Sequence, residues 1–204
     1  MAIIQSGAST DLLTIGATSK AGRVEQYDST GRAIALQSKS TFGVSTTPFT
    51  PPATPTDMAT IYGSASKTVY VYGIRVSTTQ STAGVNRIYL IKRSAVNTGG
   101  TSAAPTIVPF VSTDTATATI LSYTVNPAGL GATVGNISVS NVYAPILATG
   151  TSSSIIQLIQ RDGSFEMSKP IILSGVAQGL AVNFAGAALP GGLSVIVDFL
   201  WTEE

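Results

Sequence analysis

The sequence predicts an all-β protein: an antiparallel β-sandwich of the jelly-roll type, preceded by an extended N-terminal hairpin arm. Short segments rich in Val, Ile, Thr and Tyr recur from residue 58 onward, separated by turns that contain Gly, Pro or Asn. No window of eleven or more residues shows the 3.6-residue apolar period of a helix. Roughly nine or ten strand segments fit into residues 58–204, which is a spacing typical of two packed sheets.

The last part of the chain, Lys169 to Glu204, has the clearest strand pattern. Gly-containing turns separate three predicted strands, at Ile171–Leu173, Leu180–Ala185 and Leu193–Thr202. Strand alternation places five large apolar side chains on one face of the last strand: Leu193, Val195, Val197, Phe199 and Trp201. The stretch lacks charge from residue 170 to 197, but Gly and Pro interrupt the run of about 20 apolar residues that a membrane helix needs. We therefore expect a sheet here and no membrane partner.

The middle of the chain supplies the other predicted strands: Thr68–Ser77, Arg87–Arg93, Thr106–Val111, Thr115–Val125, Ile137–Leu147 and Ser154–Arg161. In the first of these, strict alternation divides the large side chains between two faces, with Val69 and Val71 on one and Tyr70, Tyr72, Ile74 and Val76 on the other. The Thr-rich run from Ser112 to Thr119 is expected to form an exposed strand edge.

Residues 1–57 differ from the rest and are predicted to form an anchoring arm and a spacer. Arg23–Tyr27 and Arg32–Leu36 flank a turn signal, which predicts a hairpin. A two-stranded hairpin is marginal alone and needs a surface to lie on. The Pro/Thr-rich segment Thr46–Thr56 is typical of a stiff spacer. The side chains expected to contact the partner surface are Leu12, Leu13, Ile15, Arg23, Val24, Tyr27, Arg32, Ile34 and Leu36.

The charge content is low and limits the partners that the protein can have. Charged residues make up 10% of the chain, against roughly 25% in ordinary soluble domains. A surface this poor in charge lacks the repulsion that keeps copies apart, so we expect a homo-oligomer, most simply a trimer, or attachment to a larger assembly. The net charge of +1 and the scattered Lys and Arg residues argue against a nucleic-acid partner.

The chain offers few residues for catalysis. It has no Cys and no His, so it lacks thiolates and the commonest general base and metal ligand. Ser64 to Lys67 matches the S-x-x-K pattern of serine acyl enzymes, but it precedes a strand and is expected to form a polar turn. The acidic pairs Asp162/Glu166 and Asp198/Glu203 are expected to lie in a solvated turn and a solvated end. We therefore predict a protein that is not an enzyme and has no cofactor and no metal.

One feature fits a sugar-binding protein as well as it fits an ordinary sandwich. Aromatic rings present a flat apolar surface with a polar edge, so tyrosines can line a glycan-binding face. The candidates are Tyr62, Tyr70, Tyr72, Tyr89, Tyr123 and Tyr143. Half-buried tyrosines of a sandwich give the same pattern, so both interpretations stand.

Both ends of the chain resemble virion structural proteins of tailed bacteriophages. At the start, the resemblance lies in Leu12 to Ile15, Ser19 to Val24 and Tyr27 to Gly31; at the end, it lies in LAVNFAGAALPGGLSVIVDFLWTEE, Leu180 to Glu204. It implies a capsid decoration (cement) or head-fibre protein with a jelly-roll domain, often a trimer, on the virion surface. The implied partner is the major capsid protein or another virion protein. The alternative is a receptor-binding module of a tail or head fibre that binds a host-surface glycan.

Overall fold

In the computed structural model, the described residues are 3–5, 12–14, 39–144, 152–160 and 170–204. The chain divides into two compact units, residues 1–38 and residues 39–204. In the first unit, strand β1 (Ile3–Gln5) pairs antiparallel with β2 (Leu12–Thr14). The hairpin predicted at Arg23–Leu36 lies outside the described residues.

The second unit is a sandwich of two antiparallel sheets, as predicted, and its described residues contain no helix. Its strands are β3 (Ser40–Ser45), β4 (Asp57–Tyr62), β5 (Thr68–Gln80), β6 (Gly84–Arg93), β7 (Thr101–Ala103), β8 (Val108–Pro109), β9 (Thr119–Val125), β10 (Thr133–Ala144), β11 (Ser152–Gln160), β12 (Ile171–Ser174), β13 (Gly179–Asn183) and β14 (Ser194–Glu203). Sheet I has the order β10-β6-β13-β4-β9-β7. Sheet II has the order β11-β5-β14-β3-β8, and β12 also pairs with β5.

The core lies between the two sheets and confirms the predicted inner face of the last strand. Each of its five predicted core residues, Leu193, Val195, Val197, Phe199 and Trp201, is at least 96% buried. The Trp201 ring stacks on Phe42 of β3, with ring centroids 5.6 Å apart. Burying apolar surface contributes about 25 cal/mol per Å² to the free energy of folding. The burial of these large side chains therefore stabilises the packing of the two sheets.

The prediction of two apolar faces on β5 is wrong, because the strand contains a bulge. Opposite β5, Leu200 pairs with Gly73 but the next residue, Trp201, pairs with Val71, so Tyr72 is an extra residue. An extra residue reverses the alternation that follows it. The buried apolar residues of β5 therefore lie on one face on both sides of the bulge: Val69, Val71, Ile74 and Val76.

The domain boundary predicted at residue 57 lies instead between Ser38 and Lys39. Strand β3 is an interior strand of sheet II, between β14 and β8. The predicted spacer packs on the sandwich: the Thr46 amide donates to the Val197 carbonyl at 3.0 Å, and Phe49 is buried in the core. The Pro-rich composition did not indicate the place of this segment against β14.

The Thr-rich run from Ser112 to Thr119 is also not the exposed strand edge that we predicted. Residues 112–118 form a loop, and β9 begins at Thr119. Ala118, at the end of this loop, is buried. The strand predicted at Thr106–Val111 is shorter in the structure, where Val108–Pro109 form β8. None of the described residues forms a helix that could cross a membrane.

Candidate functional site

The outer face of sheet II carries a shallow groove whose floor is formed by three residues in one row. Leu200 of β14 lies directly opposite Gly43 of β3 on one side and Gly73 of β5 on the other. Because both flanking residues lack side chains, the backbone is open on either side of the Leu200 side chain, which is 39% exposed. The resulting groove has a volume of about 410 Å³.

One wall of the groove is apolar and comes from the segment around β8. Val108, which lines the groove, and Phe110, which lies beside it over Gly43, are 58% and 66% exposed. The Phe110 ring lies over Gly43, and a Cβ atom at that position would be 3.3 Å from a ring carbon. Glycine therefore lets the aromatic ring lie close to the sheet beside the groove.

The other side of the groove is polar. Arg75 of β5 lies opposite Asp198 of β14, and its Nε and Nη2 atoms are 2.7 and 2.6 Å from the same carboxylate oxygen, Oδ2. The Arg75 side chain is 54% exposed, so its charge reaches the solvent next to the apolar floor. A groove with an exposed ring, an aliphatic floor and a charged pair can bind a ligand that has both an apolar face and hydroxyl groups.

The six tyrosines proposed as a sugar-binding face do not form one surface. Tyr62 and Tyr123 are buried in sheet I, whereas Tyr70 and Tyr72 belong to β5 in sheet II. The Tyr62 hydroxyl accepts a hydrogen bond from the Asn97 amide at 2.9 Å. Burial raises the pKa of Tyr62 to about 12, so its hydroxyl stays protonated at physiological pH. These two buried tyrosines hold loops and strands in place and are not available to a ligand.

Asp57, at the start of β4, is the centre of a buried polar cluster in sheet I. Arg93 binds both of its carboxylate oxygens, at 3.1 Å from Nε and 2.7 Å from Nη2. The side-chain amides of Asn97 and Asn183 donate to the same carboxylate at 2.9 and 2.7 Å. Arg93 also donates to the carbonyl of Gly131 at 3.0 Å. The cluster ties the loops at Asn97 and Gly131 to the strand ends at Asp57, Arg93 and Asn183, and its carboxylate is fully buried behind these donors.

Glu203 near the end of β14 forms a second buried polar cluster, which corrects our expectation of a solvated end. Its carboxylate accepts hydrogen bonds from the amides of Thr117 and Ala118 and from the Trp201 indole, at 2.9 to 3.0 Å. The Thr117 hydroxyl donates to it at 2.6 Å. Asp198, its predicted acidic neighbour, is instead on the outer face with Arg75. The Asp162/Glu166 pair lies outside the described residues.

The S-x-x-K segment forms the polar turn that we predicted. The Ser64 hydroxyl oxygen accepts hydrogen bonds from the amides of Ser66 and Lys67, at 3.1 and 3.3 Å. The Lys67 ammonium group donates to the Thr115 carbonyl at 3.2 Å, away from Ser64. Across the described ranges, no three Asp or Glu residues come together in a group that could hold a metal ion.

Of the nine residues predicted to contact a partner, two are in described strands. Leu12 and Leu13 lie in β2, where they pair with Gln5 and Ile4 of β1. The other seven lie outside the described residues: Ile15, Arg23, Val24, Tyr27, Arg32, Ile34 and Leu36. All nine belong to the first unit, residues 1–38. The groove residues Gly43, Gly73, Phe110 and Leu200 were not predicted, because their proximity depends on strand order.

Comparison with protein families, curated proteins and solved structures gave no match for this chain.

Proposed function

We propose that the chain is a non-enzymatic structural protein of a tailed-phage virion: a decoration protein that binds the outer capsid surface through residues 1–38 and stabilises the shell as an oligomer. The observation that carries this proposal is the division of the chain at Ser38. All described core residues lie between Phe42 and Trp201, so the sandwich has its own core. The first unit contains every predicted contact residue, and we assign attachment to the partner to this unit.

The strand order supports a jelly roll, the fold that the resemblance implies. In sheet II the order β3-β14-β5-β11 and in sheet I the order β4-β13-β6-β10 correspond to two interlocking Greek keys of eight strands. Strands β7, β8 and β9 are then an insertion between β6 and β10 that widens both sheets. Jelly rolls are common among viral capsid proteins, but the fold alone does not assign a function.

Attachment through an arm has a clear energetic requirement. Ordering the backbone costs about 1–2 kcal/mol per residue, so the arm needs many contacts with the shell. Leu12, Leu13 and Tyr27 supply apolar surface, while Arg23 and Arg32 can pair with acidic groups of the capsid protein. In a trimer, three arms bind together, and each one raises the effective concentration of the next.

The test compares the full chain with residues 39–204 on capsids that lack this protein. We expect the shortened chain to melt within a few degrees of the full chain and to lose attachment in co-sedimentation. The double variant Arg23→Ala/Arg32→Ala should bind more weakly and with less dependence on salt. Arg75→Ala/Lys92→Ala, which removes two cations from the sandwich surface, is the matched control and should bind normally. Attachment of residues 39–204 at full strength would contradict the proposal.

The groove on sheet II favours a second candidate: a receptor-binding module of a tail or head fibre that binds a host-surface glycan. Phe110 and Leu200 offer apolar surface for the face of a sugar ring, and Arg75 and Asp198 offer groups for its hydroxyls. A glycan array separates the two candidates. If the second candidate is right, the array gives a glycan signal, and Arg75→Met and Phe110→Ala abolish it. Val134→Ala, in β10 of sheet I, lies outside the groove and leaves the signal intact. If no glycan gives a signal, the second candidate is rejected and the decoration function is retained.

A further inference from the structure

Among the described residues, β10 is the terminal strand of sheet I: it hydrogen-bonds to β6 on one side and to no described strand on the other. Its two register shifts lie in its first half, between Thr133 and Ser138. From Ser138 to Ala144 it pairs with Leu90 to Gly84 residue by residue. Natural sheets protect their edges with charged residues, proline or bulges, because an open edge is a template for another strand. The segment from Ser138 to Ala144 has none of these.

The outer face of this edge carries an apolar stripe. Tyr143 lies opposite Val85, and Val139 lies opposite Tyr89. Tyr143, Val85 and Val139 are 63%, 55% and 50% exposed. Between the two pairs, the Nε atom of Arg87 donates to the Asn141 side-chain oxygen at 3.0 Å. The edge and the stripe together form one surface, which we name the β10 surface and define by Val85, Tyr89, Val139, Asn141 and Tyr143.

We propose that a second copy of this chain binds the β10 surface by pairing its own β10 antiparallel to the first, around a two-fold axis at Asn141. In a two-fold interface every contact forms twice: where a residue of the first copy contacts a given residue of the second, the same two residues also make contact with the copies exchanged. With Asn141 at the axis, Val139 of each copy lies opposite Tyr143 of the other, twice, on the same face. An aromatic residue opposite a β-branched residue is a favourable cross-strand pair.

The composition of β10 favours a second copy as the occupant. In an antiparallel self-pair around Asn141, each residue faces the position equally far on the other side of the axis, and like charges at two such positions would be unfavourable. β10 contains no Asp, Glu, Lys or Arg along its twelve residues, so self-pairing meets no such repulsion. The nearest charge, Arg87, is on β6 and is engaged by Asn141. An acidic or basic partner strand would find no complementary charge on this edge.

Two-fold pairing joins the six-stranded sheets I of two copies into one continuous sheet. It is therefore a contact distinct from any three-fold contact of a trimer, and a protein that uses both contains six copies. The inference goes beyond attachment to a capsid and does not depend on it. The other end of sheet I, at β7, offers a strand of three residues, which is a short template by comparison.

The experiment measures the mass of the full-length protein in solution by light scattering coupled to size exclusion. We expect an even number of copies for the natural chain and half that mass for Val139→Lys and for Tyr143→Lys. Val176→Lys is the matched control: it makes the same change at a valine of similar exposure in the turn between β12 and β13, and it should leave the mass unchanged. A natural mass of one or three chains would overturn the inference, as would variants that keep the full mass.

Amide hydrogen exchange of the natural chain gives a second measurement that needs no substitution. The amides of Ser138 to Ala144 that point away from β6 should exchange slowly at high protein concentration and rapidly after dilution. Exchange in this segment that is equally fast at both concentrations would overturn the inference even if a variant failed to fold. Neither result bears on capsid attachment, so the two proposals fail independently.

Discussion

Asp57 and Glu203 are both buried carboxylates in the described part of the chain, but the sandwich neutralises them in different ways. Asp57 faces a buried cation, Arg93, whose side chain is 3% exposed. Glu203 is bound mainly by neutral donors, two backbone amides, a hydroxyl and an indole. Its nearest cation, Lys67, is 3.7 Å away and partly exposed. Both carboxylates hold a loop against a sheet: Asp57 does so within an ion pair, and Glu203 does so by accepting hydrogen bonds from neutral groups.

The difference predicts how each cluster responds to a change in charge. Removing one partner of a buried ion pair leaves an uncompensated charge in the interior, which is strongly destabilising. For Glu203, burial alone would raise the pKa, but the hydrogen bonds from Thr117, Trp201 and Ala118 outweigh it and hold the pKa below its usual value of 4.5. Asp57 therefore makes the fold sensitive to substitution, and Glu203 makes it sensitive to acid.

The largest effect is expected for Arg93→Met, which leaves Asp57 buried without its cation. We expect a loss of about 3–5 kcal/mol in the free energy of unfolding, measured by urea denaturation. The matched control is Arg75→Met, which breaks the exposed pair with Asp198 and should cost about 0–1 kcal/mol. Equal losses for the two variants would show that the buried pair has no special importance.

A smaller effect is expected for Glu203→Gln, which replaces one acceptor oxygen by a donor facing the Thr117 amide. The expected cost at neutral pH is about 1–3 kcal/mol. Because the folded-state pKa of Glu203 is lowered, its contribution is complete above the unfolded-state value and is lost as pH falls through the folded-state pKa. The natural chain should therefore lose more stability below about pH 4.5 than the variant does.

Denaturation curves at several pH values between neutral and strongly acidic conditions test this prediction. Glu204→Gln is the comparison variant: the hydrogen bond from Lys39, 2.7 Å away, also lowers the pKa of Glu204, but this side chain is 42% exposed, so solvent screens the pair and its loss should change the acid dependence less. A Glu203→Gln variant with the same acid dependence as the natural chain would contradict the assignment of dipolar stabilisation to Glu203.

The smallest effect is expected for Lys67→Met. If neutral donors hold Glu203, removing a partly exposed ammonium group at 3.7 Å should cost less than about 1 kcal/mol. A loss comparable to that of Arg93→Met would show instead that Glu203 depends on a cation as Asp57 does. Thermal unfolding of the two variants side by side is sufficient to decide this.

The sequence predicted those parts of the fold that depend on local alternation. The buried face of β14 follows directly from the spacing of Val195, Val197 and Phe199, and the turn at Ser64 follows from its polar residues. Strand β3 was missed because Gly43 and the Pro-rich segment after it weaken the local signal, although Phe42 and Val44 are core residues. Its place beside β14 depends on residues more than 150 positions away.

The polar clusters and the groove could not be predicted, because each is assembled from distant parts of the chain. Asp57 lies 36 positions from Arg93 and 126 from Asn183. Nothing near Asp57 in the sequence indicates these partners. The bulge at Tyr72, by contrast, has a local signal that we did not use: Gly73 interrupts the strand pattern, and an isolated Gly inside a strand often marks a bulge. Local patterns predict which face of a strand is buried, and strand order determines which residues meet.

The protein has a single tryptophan, Trp201, and its position gives the chain an intrinsic optical reporter. The indole is fully buried, stacks on Phe42 and donates through Nε1 to Glu203 at 2.9 Å. Its fluorescence therefore depends both on the packing between the sheets and on the protonation of the Glu203 carboxylate. A shift of the emission maximum to longer wavelength reports opening of the core. A change of intensity in acid, without that shift, reports protonation of Glu203 in a sandwich that is still folded.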